Sequence, residues 1–275
     1  MSTIQFTKMQ GIGNDFVVVD CIQDSQLPSD LAALSQKVND RRFGIGGDGL
    51  ILLEKGDEAP FRMRMFNPDG SESEMCGNGI RCFGRLLHDH GHLDGTSVKV
   101  ETGAGILQLD LVGDDKFRVD MGHARLTRGT IGMTGNADES FIEQPVAEGF
   151  NGTAVSMGNP HLVIFVDDVS KVNLEVVGPI LEHSPEFPKK TNVHFIQVVD
   201  RSHLIQRTWE RGAGITLACG TGACASAVAA FVTGRSDRNV EIKLPGGILN
   251  IEYQEDGKVM MTGPAETVFE GTIEA

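Results

Sequence analysis

Short apolar runs bounded by glycine, asparagine and aspartate dominate the chain, and this pattern predicts many short buried strands. Helical spacing is limited to the segments 28–40, 78–90 and 222–233. Apolar residues of the second segment fall on one face, whereas the third is rich in alanine and should be buried on all sides. The pattern therefore predicts an α+β fold with each helix inside or against a sheet.

The second half of the chain repeats the first half. Asn14 follows a glycine and precedes an apolar run, and Asn159 does the same 145 residues later. Cys76 and Cys219 each precede Gly-x-Gly and lie 143 residues apart. Three further pairs of segments keep the same order, 62–67 with 205–210, 98–107 with 242–249, and 116–122 with 258–263. Two copies are too few for a solenoid, so the repeat predicts two similar domains.

The boundary between the two halves is predicted near residues 113–125. Residues 113–116 have the composition of a hairpin turn, a strand is predicted at 117–121, and 129–152 is interpreted as a loop. The first half is therefore assigned to residues 1–120 and the second to residues 121–264.

Composition limits the function classes. The 275 residues are 40% hydrophobic and carry a net charge of −14, which argues against nucleic acid or an anionic membrane as a partner. There is no apolar run of membrane-spanning length and no secretory signal, so a cytoplasmic protein is expected. The five cysteines include no Cys-x-x-Cys pair and the eight histidines show no metal-site spacing, so no metal is expected.

Cys76 and Cys219 carry the candidate chemistry. Each precedes a predicted helix start, where unpaired N–H groups and the helix dipole should lower a thiol pKa and bind a carboxylate. Two such thiols facing each other suit the inversion of a stereocentre, because one removes a proton and the other returns one. Cys21, Cys82 and Cys224 lack this context and are interpreted as inert core residues; a disulfide between Cys76 and Cys219 would be an inactivated form.

Polar residues accompany both thiols. Asn14, Asn67, Asn159 and Asn192 lie at strand ends or turns in corresponding places of the repeat, and their amides suit a zwitterionic amino acid. Glu210 and Arg211 follow a strand and could hold an ammonium and a carboxylate, or form an exposed ion pair. His161, after Gly-Asn-Pro, could tune a thiol or could simply be a core histidine.

At these residues the sequence closely resembles the diaminopimelate epimerase family. The matching segments are 8–16, 44–46, 66–71, 76–82, 157–161, 209–214, 218–223 and 244–247. The resemblance implies two pseudo-symmetric domains, each a curled, mostly antiparallel sheet around a central helix, with the active site in the cleft between them. It implies an enzyme with a small-molecule substrate, which interconverts LL- and meso-diaminopimelate in lysine and peptidoglycan synthesis. It also implies that the reaction needs neither metal nor pyridoxal phosphate.

The resemblance also implies roles for individual residues. Cys76 and Cys219 would be the acid/base pair, and His161 and Glu210 would tune the thiols. Residues 265–275 would return to the first domain, and homodimers would form, with Phe269 at an aromatic dimer contact. The implied substrate contacts are Asn14, Gly49, Asn67, Gly77, Asn78, Asn159, Asn192, Glu210, Arg211, Gly220 and Thr221.

Two positions depart from the family pattern. Gly49 stands where many members carry a glutamine that reaches the substrate, and Ile215 stands where glutamate is frequent.

Two rival functions stay open at this point. A proline-racemase-like enzyme shares the cysteine pair but carries histidine in place of Asn78. A thiol redox protein would need a resolving cysteine, for which Cys82 and Cys224 are awkwardly placed.

Overall fold

The computed structural model describes residues 3–22 and 27–274, which form two compact units. The first unit contains the residues up to Val119 together with those from Thr262 onward, and the second runs from Asp120 to Met261. None of the helices in the described ranges has the length and apolar character that crossing a lipid bilayer requires.

The first unit is a sheet with two helices. Its elements are β1 (Thr3–Gly11), β2 (Asn14–Asp20), α1 (Leu31–Asn39), β3 (Gly49–Lys55), β4 (Phe61–Phe66), β5 (Glu72–Ser73), α2 (Gly77–Asp89), β6 (Ser97–Thr102), β7 (Gly105–Val112), β8 (Lys116–His123) and β18 (Glu266–Glu274). The strands pair in the order β18-β1-β2-β3-β4-β6-β7-β8, with β5 beside β4. The pairs β2/β3 and β4/β6 are parallel and the others are antiparallel.

The second unit repeats this arrangement. Its elements are α3 (Arg128–Ile131), β9 (Gln144–Pro145), β10 (Asn151–Ser156), β11 (Pro160–Phe165), α4 (Leu174–Glu182), β12 (Asn192–Val198), β13 (His203–Glu210), β14 (Gly214–Thr216), α5 (Gly220–Val232), β15 (Asn239–Leu244), β16 (Gly247–Tyr253) and β17 (Lys258–Pro264). The order is β9-β10-β11-β12-β13-β15-β16, and the parallel pairs are again the third and fifth, β11/β12 and β13/β15. The chain enters this unit within β8 and leaves it within β17.

Strand register confirms the duplication residue by residue. Phe16 of β2 pairs with Gly49 of β3, and His161 of β11 pairs with Asn192 of β12. These are the partners that the sequence offsets of 145 and 143 residues predict. The α+β class and the internal duplication are therefore confirmed.

The strands β2 and β3 are apolar without alternation because they are covered on both faces. Helix α2 packs against both strands on one face. On the other face, Val17, Val19, Leu50 and Leu52 join an apolar cluster with side chains of α1. Runs of this kind therefore mark the middle of a three-layer arrangement rather than a surface strand.

Helices α2 and α5 form the centres of their units. Helix α2 contacts β1, β2, β3, β4, β7 and β18, and α5 contacts β10, β11, β12, β15 and β16. Both helices are buried on nearly all sides, as predicted for the alanine-rich one. The predicted one-sided burial of α2 is incomplete, because its polar residues Asn78 and Arg81 are also buried.

The remaining predictions of local structure are partly confirmed. Helix α1 is shorter than the predicted 28–40, because the Asp30 side chain accepts the Ala33 N–H at 2.9 Å and fixes the helix start. The hairpin turn at 113–116 is confirmed, with Gly113 at φ +68°. The segment 129–152 is mostly irregular but includes the end of α3 and the short strand β9. Helix α4 was not predicted, since Pro179 lies inside it.

Candidate active site

The two candidate cysteines occupy the same backbone position in their units. Cys76 caps α2 with φ −137° and ψ 123°, and Cys219 caps α5 with φ −134° and ψ 101°. Each carbonyl accepts the first helical hydrogen bond, from Ile80 N–H at 2.8 Å and from Ala223 N–H at 2.9 Å. Each thiol therefore lies at a helix start, where backbone N–H groups that lack a helical partner can bind an anion.

In the first unit, an asparagine pair surrounds the thiol. Asn14 Oδ1 accepts the Cys76 thiol at 3.7 Å and Asn78 Nδ2 at 3.1 Å. The two amides are oriented from opposite ends. Asp48 accepts Asn14 Nδ2 at 2.6 Å, and Arg81 donates to Asn78 Oδ1 at 2.9 Å. Because a carboxylate can only accept and a guanidinium can only donate, these contacts fix which amide atom faces the thiol.

Arg81 is buried completely, which is rare for a guanidinium. It donates to the backbone carbonyls of Gly77 at 3.0 Å and Pro264 at 3.2 Å, as well as to Asn78. The side chain thus joins the first turn of α2 to the segment before β18. The register places Cys224 at the corresponding position of α5, so only the first unit has a buried cation behind its cysteine.

Asp48 is held by an ion cluster at the surface of the first unit. Arg41 contacts Asp48 at 2.8 Å and Asp15 at 2.6 Å, and Lys8 contacts Asp15 at 2.5 Å. Burial opposes ionisation of Asp15, but hydrogen bonds from Arg41 and Lys8 outweigh it and lower the Asp15 pKa. The same contacts raise the pKa of Arg41. Asp15 and Arg41 are therefore both charged at neutral pH.

In the second unit, a threonine and an asparagine occupy the corresponding places beside the thiol. The Thr221 hydroxyl lies 3.9 Å from Cys219 Sγ, and Asn159 Nδ2 donates to that hydroxyl at 3.4 Å. Asn159 and Thr221 therefore repeat the contact between Asn14 and Asn78. The contact that orients Asn159 is different, because it comes from a buried histidine.

A chain of buried hydrogen bonds leads from the core to Asn159. Gln206 Nε2 donates to His194 Nδ1 at 3.2 Å, which makes that nitrogen an acceptor. His194 Nε2–H then donates to His161 Nδ1 at 2.9 Å. His161 Nε2–H in turn donates to Asn159 Oδ1 at 2.9 Å. Thr208 also contacts His194 Nδ1, at 3.0 Å. The chain thereby fixes the tautomer of both imidazoles.

Both histidines are neutral at physiological pH. Burial lowers the pKa of His194 to about 3. Burial lowers the pKa of His161 well below its usual value, and the neighbouring His194 and Arg211 lower it further. The His161–His194 pair therefore orients Asn159 without adding charge to the site.

Glu210 is the charged neighbour of Cys219. Burial raises the Cys219 pKa well above its usual value, and the Glu210 carboxylate raises it further through its charge and a hydrogen bond. Thr216 donates to Glu210 at 2.6 Å and holds the carboxylate in place. The expectation that the helix start lowers this thiol's pKa was wrong for Cys219, because burial and Glu210 outweigh the helix N–H groups.

The other predicted substrate contacts have protein partners. Asn192 accepts Arg211 N–H at 2.9 Å and donates to the Pro160 carbonyl at 3.0 Å, which ties β11, β12 and the end of β13 together. Asn67 donates to Ser71 at 3.0 Å at the end of β4. The roles of these residues toward substrate remain predictions.

Gly49 and Phe269 make packing contacts within the first unit. A side chain at Gly49 would begin 2.9 Å from Met65 Cε and 3.1 Å from the Phe66 carbonyl, so the local packing suits glycine. Phe269 on β18 is half exposed and lies edge-on against Phe6, 5.9 Å between ring centroids. Ile215 is exposed on β14.

His161, His194 and Cys219 also form a compact group of metal-binding atoms. Their ligand atoms all lie within 4.8 Å of one another, and all three residues are buried. Two imidazoles and a thiolate can hold a zinc-class ion. Here both imidazole nitrogens that link the histidines are used in the hydrogen-bond chain, so the group has a structural use without an ion.

Sequence reasoning overlooked Asp48, Arg81 and His194 as site residues. Asp48 is next to Gly49, and Arg81 lies within the segment 76–82 that resembles the family, so the sequence carries a signal for both. His194 had a subtler signal. It is a histidine inside an otherwise apolar strand, and its counterpart in the repeat is Ile51.

Comparison with known proteins adds the family. The family model described as diaminopimelate epimerase matches residues 6–127 and 153–268. The chain belongs to the diaminopimelate epimerase family. A diaminopimelate epimerase of Moorella thermoacetica is 51% identical over 276 residues, covering 98% of each chain. Membership in this epimerase family makes the chain an isomerase and supports a place in lysine biosynthesis.

Solved structures of proteins with distant sequences share the fold of this epimerase-family chain. A phenazine biosynthesis protein of the PhzF family from Bacillus anthracis has a TM-score of 0.73 at 17% identity, covering 100% of each chain. A hydroxyproline epimerase from Agrobacterium vitis has a TM-score of 0.66 at 16% identity, covering 99% of this chain and 91% of that one. At such identities the likeness concerns the fold alone.

Proposed function

We propose that the protein interconverts LL- and meso-diaminopimelate by proton transfer between the substrate α-carbon and the thiols of Cys76 and Cys219, without a cofactor. The proposal takes the halves 1–120 and 121–264 as the two sides of one active site, with residues 265–275 completing the first. Its main support is the repeated site geometry, in which two cysteines cap two central helices beside corresponding polar pairs.

The chemistry assigns one thiol to each face of the α-carbon. A thiolate removes the α-proton from one face, the electron pair stays on carbon, and the opposite thiol delivers its proton to the other face. Backbone N–H groups at Gly77-Asn78 and Gly220-Thr221 would bind the α-carboxylate and stabilise the developing negative charge. Asn14, Asn67, Asn159 and Asn192, with Gly49, Glu210 and Arg211, would complete the substrate contacts.

The raised pKa of Cys219 gives the two thiols different resting roles. Burial and Glu210 keep Cys219 protonated, so it begins as the acid. Once Cys219 has delivered its proton to the α-carbon it is a thiolate, and it is then the base of the reverse direction. In the free enzyme, Cys219 becomes the base only if its proton passes to a neighbour while Cys76 takes one from solvent; Glu210 is hydrogen-bonded to the Cys219 thiol and can accept that proton. Glu210 therefore tunes this thiol and serves as its proton partner, and His161 acts through Asn159.

The test is incubation of fully reduced protein with LL-diaminopimelate in D₂O. Deuterium should enter the α-position as the meso isomer accumulates, which proton NMR and chiral chromatography would follow. Cys76→Ala and Cys219→Ala should each lower the rate by at least about 10³-fold, whereas Cys21→Ala should leave it unchanged. Absence of exchange in the reduced native protein would refute the proposal.

The same assay separates the rival functions. Proline and trans-4-hydroxyproline should not exchange their α-hydrogen, since inversion of either would favour a proline-type racemase. A redox function would require a resolving thiol, but burial raises the pKa of Cys82 to about 12. We also propose a cytoplasmic homodimer with Phe269 in its interface; Phe269→Glu should then halve the mass measured by light scattering.

A further inference from the structure

A second group of metal-binding side chains lies in the first unit, away from the cysteine. Asp20 is the last residue of β2, and His90 and His92 follow the end of α2. His90 Nδ1 lies 2.8 Å and His92 Nε2 lies 2.7 Å from the same oxygen, Asp20 Oδ2. The three atoms all lie within 4.8 Å of one another.

The turn after α2 holds the two imidazoles in place before any ligand binds. His90 N–H donates to the Leu86 carbonyl at 2.9 Å, and His92 N–H donates to the Leu87 carbonyl at 2.8 Å. Gly91 between them has φ +70°, a left-handed conformation that favours glycine. The helix end therefore directs both rings toward Asp20.

The carboxylate is oriented as well. Asp20 Oδ1 accepts the Ile22 N–H at 3.0 Å, which leaves Oδ2 directed at the two imidazoles. The Asp20 side chain is 9% exposed, and those of His90 and His92 are 25% and 15% exposed. The group is thus shielded from bulk water but open enough for an ion to enter. The net charge of −14 favours cations near the protein.

We propose that Asp20, His90 and His92 form a binding site for a divalent transition ion of the zinc class. Two imidazole nitrogens and one carboxylate oxygen suit Zn²⁺, Co²⁺ or Ni²⁺ better than Mg²⁺ or Ca²⁺, which prefer oxygen ligands alone. Three protein ligands leave a further position for water. The proposal is independent of the proposed function, since none of the three residues takes part in it.

Binding requires only small changes of geometry and protonation. Ligand atoms of a tetrahedral zinc site lie about 3.3 Å apart, so Asp20 Oδ2 must move away from each imidazole by about 0.5 Å. His90 would coordinate through Nδ1 and carry its proton on Nε2. His92 would coordinate through Nε2 and carry its proton on Nδ1. No electron is transferred, and the ion replaces two N–H···O hydrogen bonds.

The ion would join the far ends of two elements that carry candidate site residues. Strand β2 begins with Asn14 and ends with Asp20. Helix α2 begins after Cys76 and ends just before His90. An ion bound here would therefore link β2 and α2 at the ends opposite to the Cys76 thiol. Spacing could not reveal it, since Asp20 and His90 are 70 residues apart in sequence.

The experiment is titration of the full chain with Zn²⁺ by calorimetry and with Co²⁺ by visible absorption. Cys219→Ala serves as the background, because it removes the sulfur from the other candidate group, His161, His194 and Cys219. One ion should bind per chain, with Co²⁺ d–d bands and no thiolate charge-transfer band. His92→Ala should weaken Zn²⁺ binding by at least about 100-fold.

Two matched controls test the assignment. His88→Ala removes an exposed imidazole of the same helix end, which contacts Asp89 at 3.2 Å. His203→Ala breaks an exposed pair that has one imidazole and one carboxylate, His203 and Asp200, 2.9 Å apart. Neither substitution should change the dissociation constant by more than about twofold, because single imidazoles do not complete a site.

The shift in unfolding temperature that Zn²⁺ causes within each variant provides a second test, which applies also to a variant of lower stability. Zn²⁺ should raise the unfolding temperature of the background protein and of His88→Ala by mass action. It should not raise that of His92→Gln, a variant that keeps a polar side chain of similar size. Equal Zn²⁺ affinity in His92→Ala and His88→Ala, or absence of binding at micromolar Zn²⁺, would overturn the proposal.

Discussion

The two cysteines share a backbone position but differ in their surroundings. Asn14 beside Cys76 is oriented by ions, since Asp48 holds one end of the amide pair and Arg81 holds the other. Asn159 beside Cys219 is oriented by the neutral pair His161 and His194. The duplication thus conserved where each thiol lies and left the side chains behind it free to diverge.

The difference extends into the core behind each helix. In the first unit, the side chains at the corresponding positions are the apolar Phe16, Ile51, Met63 and Met65. In the second unit they are the polar and equally buried His161, His194, Gln206 and Thr208. A buried polar network stabilises a unit only when its members are satisfied, so the second unit depends on every link of its chain.

The largest predicted difference concerns the second glycine of each Cys-Gly-x-Gly turn. A methyl group on Gly222 would overlap the His194 ring, which Thr208 and Gln206 hold in place. A methyl group on Gly79 would meet the flexible end of Ile51, 3.0 Å away. Gly222→Ala should lower the free energy of unfolding by about 3 kcal/mol, and Gly79→Ala by less than about 1 kcal/mol. Urea denaturation of both variants checks this; equal losses would contradict the comparison.

The charge beside Cys219 provides the next test. Glu210→Gln removes a negative charge, so the Cys219 pKa should fall, because the thiolate is no longer repelled. Turnover should fall by about 100-fold, or about 2.7 kcal/mol, because Gln cannot accept the thiol proton. Thiolate absorbance against pH in a Cys76→Ala background measures the pKa. Thr216→Val, which keeps the carboxylate, serves as the control and should show a smaller change in pKa.

Substitutions can replace the buried hydrogen-bond chain of the second unit with the apolar residues that the first unit has at the corresponding positions. His194→Ile leaves His161 Nδ1 buried without its donor, which should lower the free energy of unfolding by about 2 kcal/mol. It should also raise the His161 pKa, since His194 is one of the groups that lower it. NMR titration of the His161 ring reports the pKa.

The double variant His161→Phe/His194→Ile reproduces the pair found in the first unit. It should recover part of the lost stability, because neither polar partner is then left buried alone. It should not recover activity, because Asn159 loses the donor that orients it. Recovery of both stability and activity would show that the hydrogen-bond chain contributes to packing alone.

The smallest predicted effect concerns the surface ions of the first unit. Arg41→Gln should cost less than about 1 kcal/mol, because Arg41 is exposed and water screens its contacts with Asp15 and Asp48. The Asp15 pKa is lowered in the folded state, so this stability is present above the unfolded pKa and is lost as pH falls through the folded value. Acid unfolding should therefore begin at higher pH in Arg41→Gln. His194→Ile should instead reduce the loss of stability on acidification, because it removes a histidine that is buried neutral and takes up a proton on unfolding.

Sequence patterns predicted the duplicated backbone arrangement better than they predicted the side chains around the thiols. The Cys-Gly-x-Gly turns, the strand offsets and the central helices are local or periodic features, so they are visible along the chain. The partners of Asn14 and Asn159 are not local. Asp48 is 34 residues from Asn14, and His194 is 33 residues from His161. The pKa of Cys219 depends on burial and on Glu210, which only the folded structure brings together.

The pairing of the first and last strands has a consequence for synthesis. Thr3 of β1 lies opposite Glu274 of β18, so the first unit draws on both ends of the chain. The second unit is continuous from Asp120 to Met261. The second unit can therefore form from one continuous stretch of chain, whereas the first unit also needs β18, which follows the whole second unit in sequence. Completion of the Cys76 side thus depends on a strand that is made later than the Cys219 side.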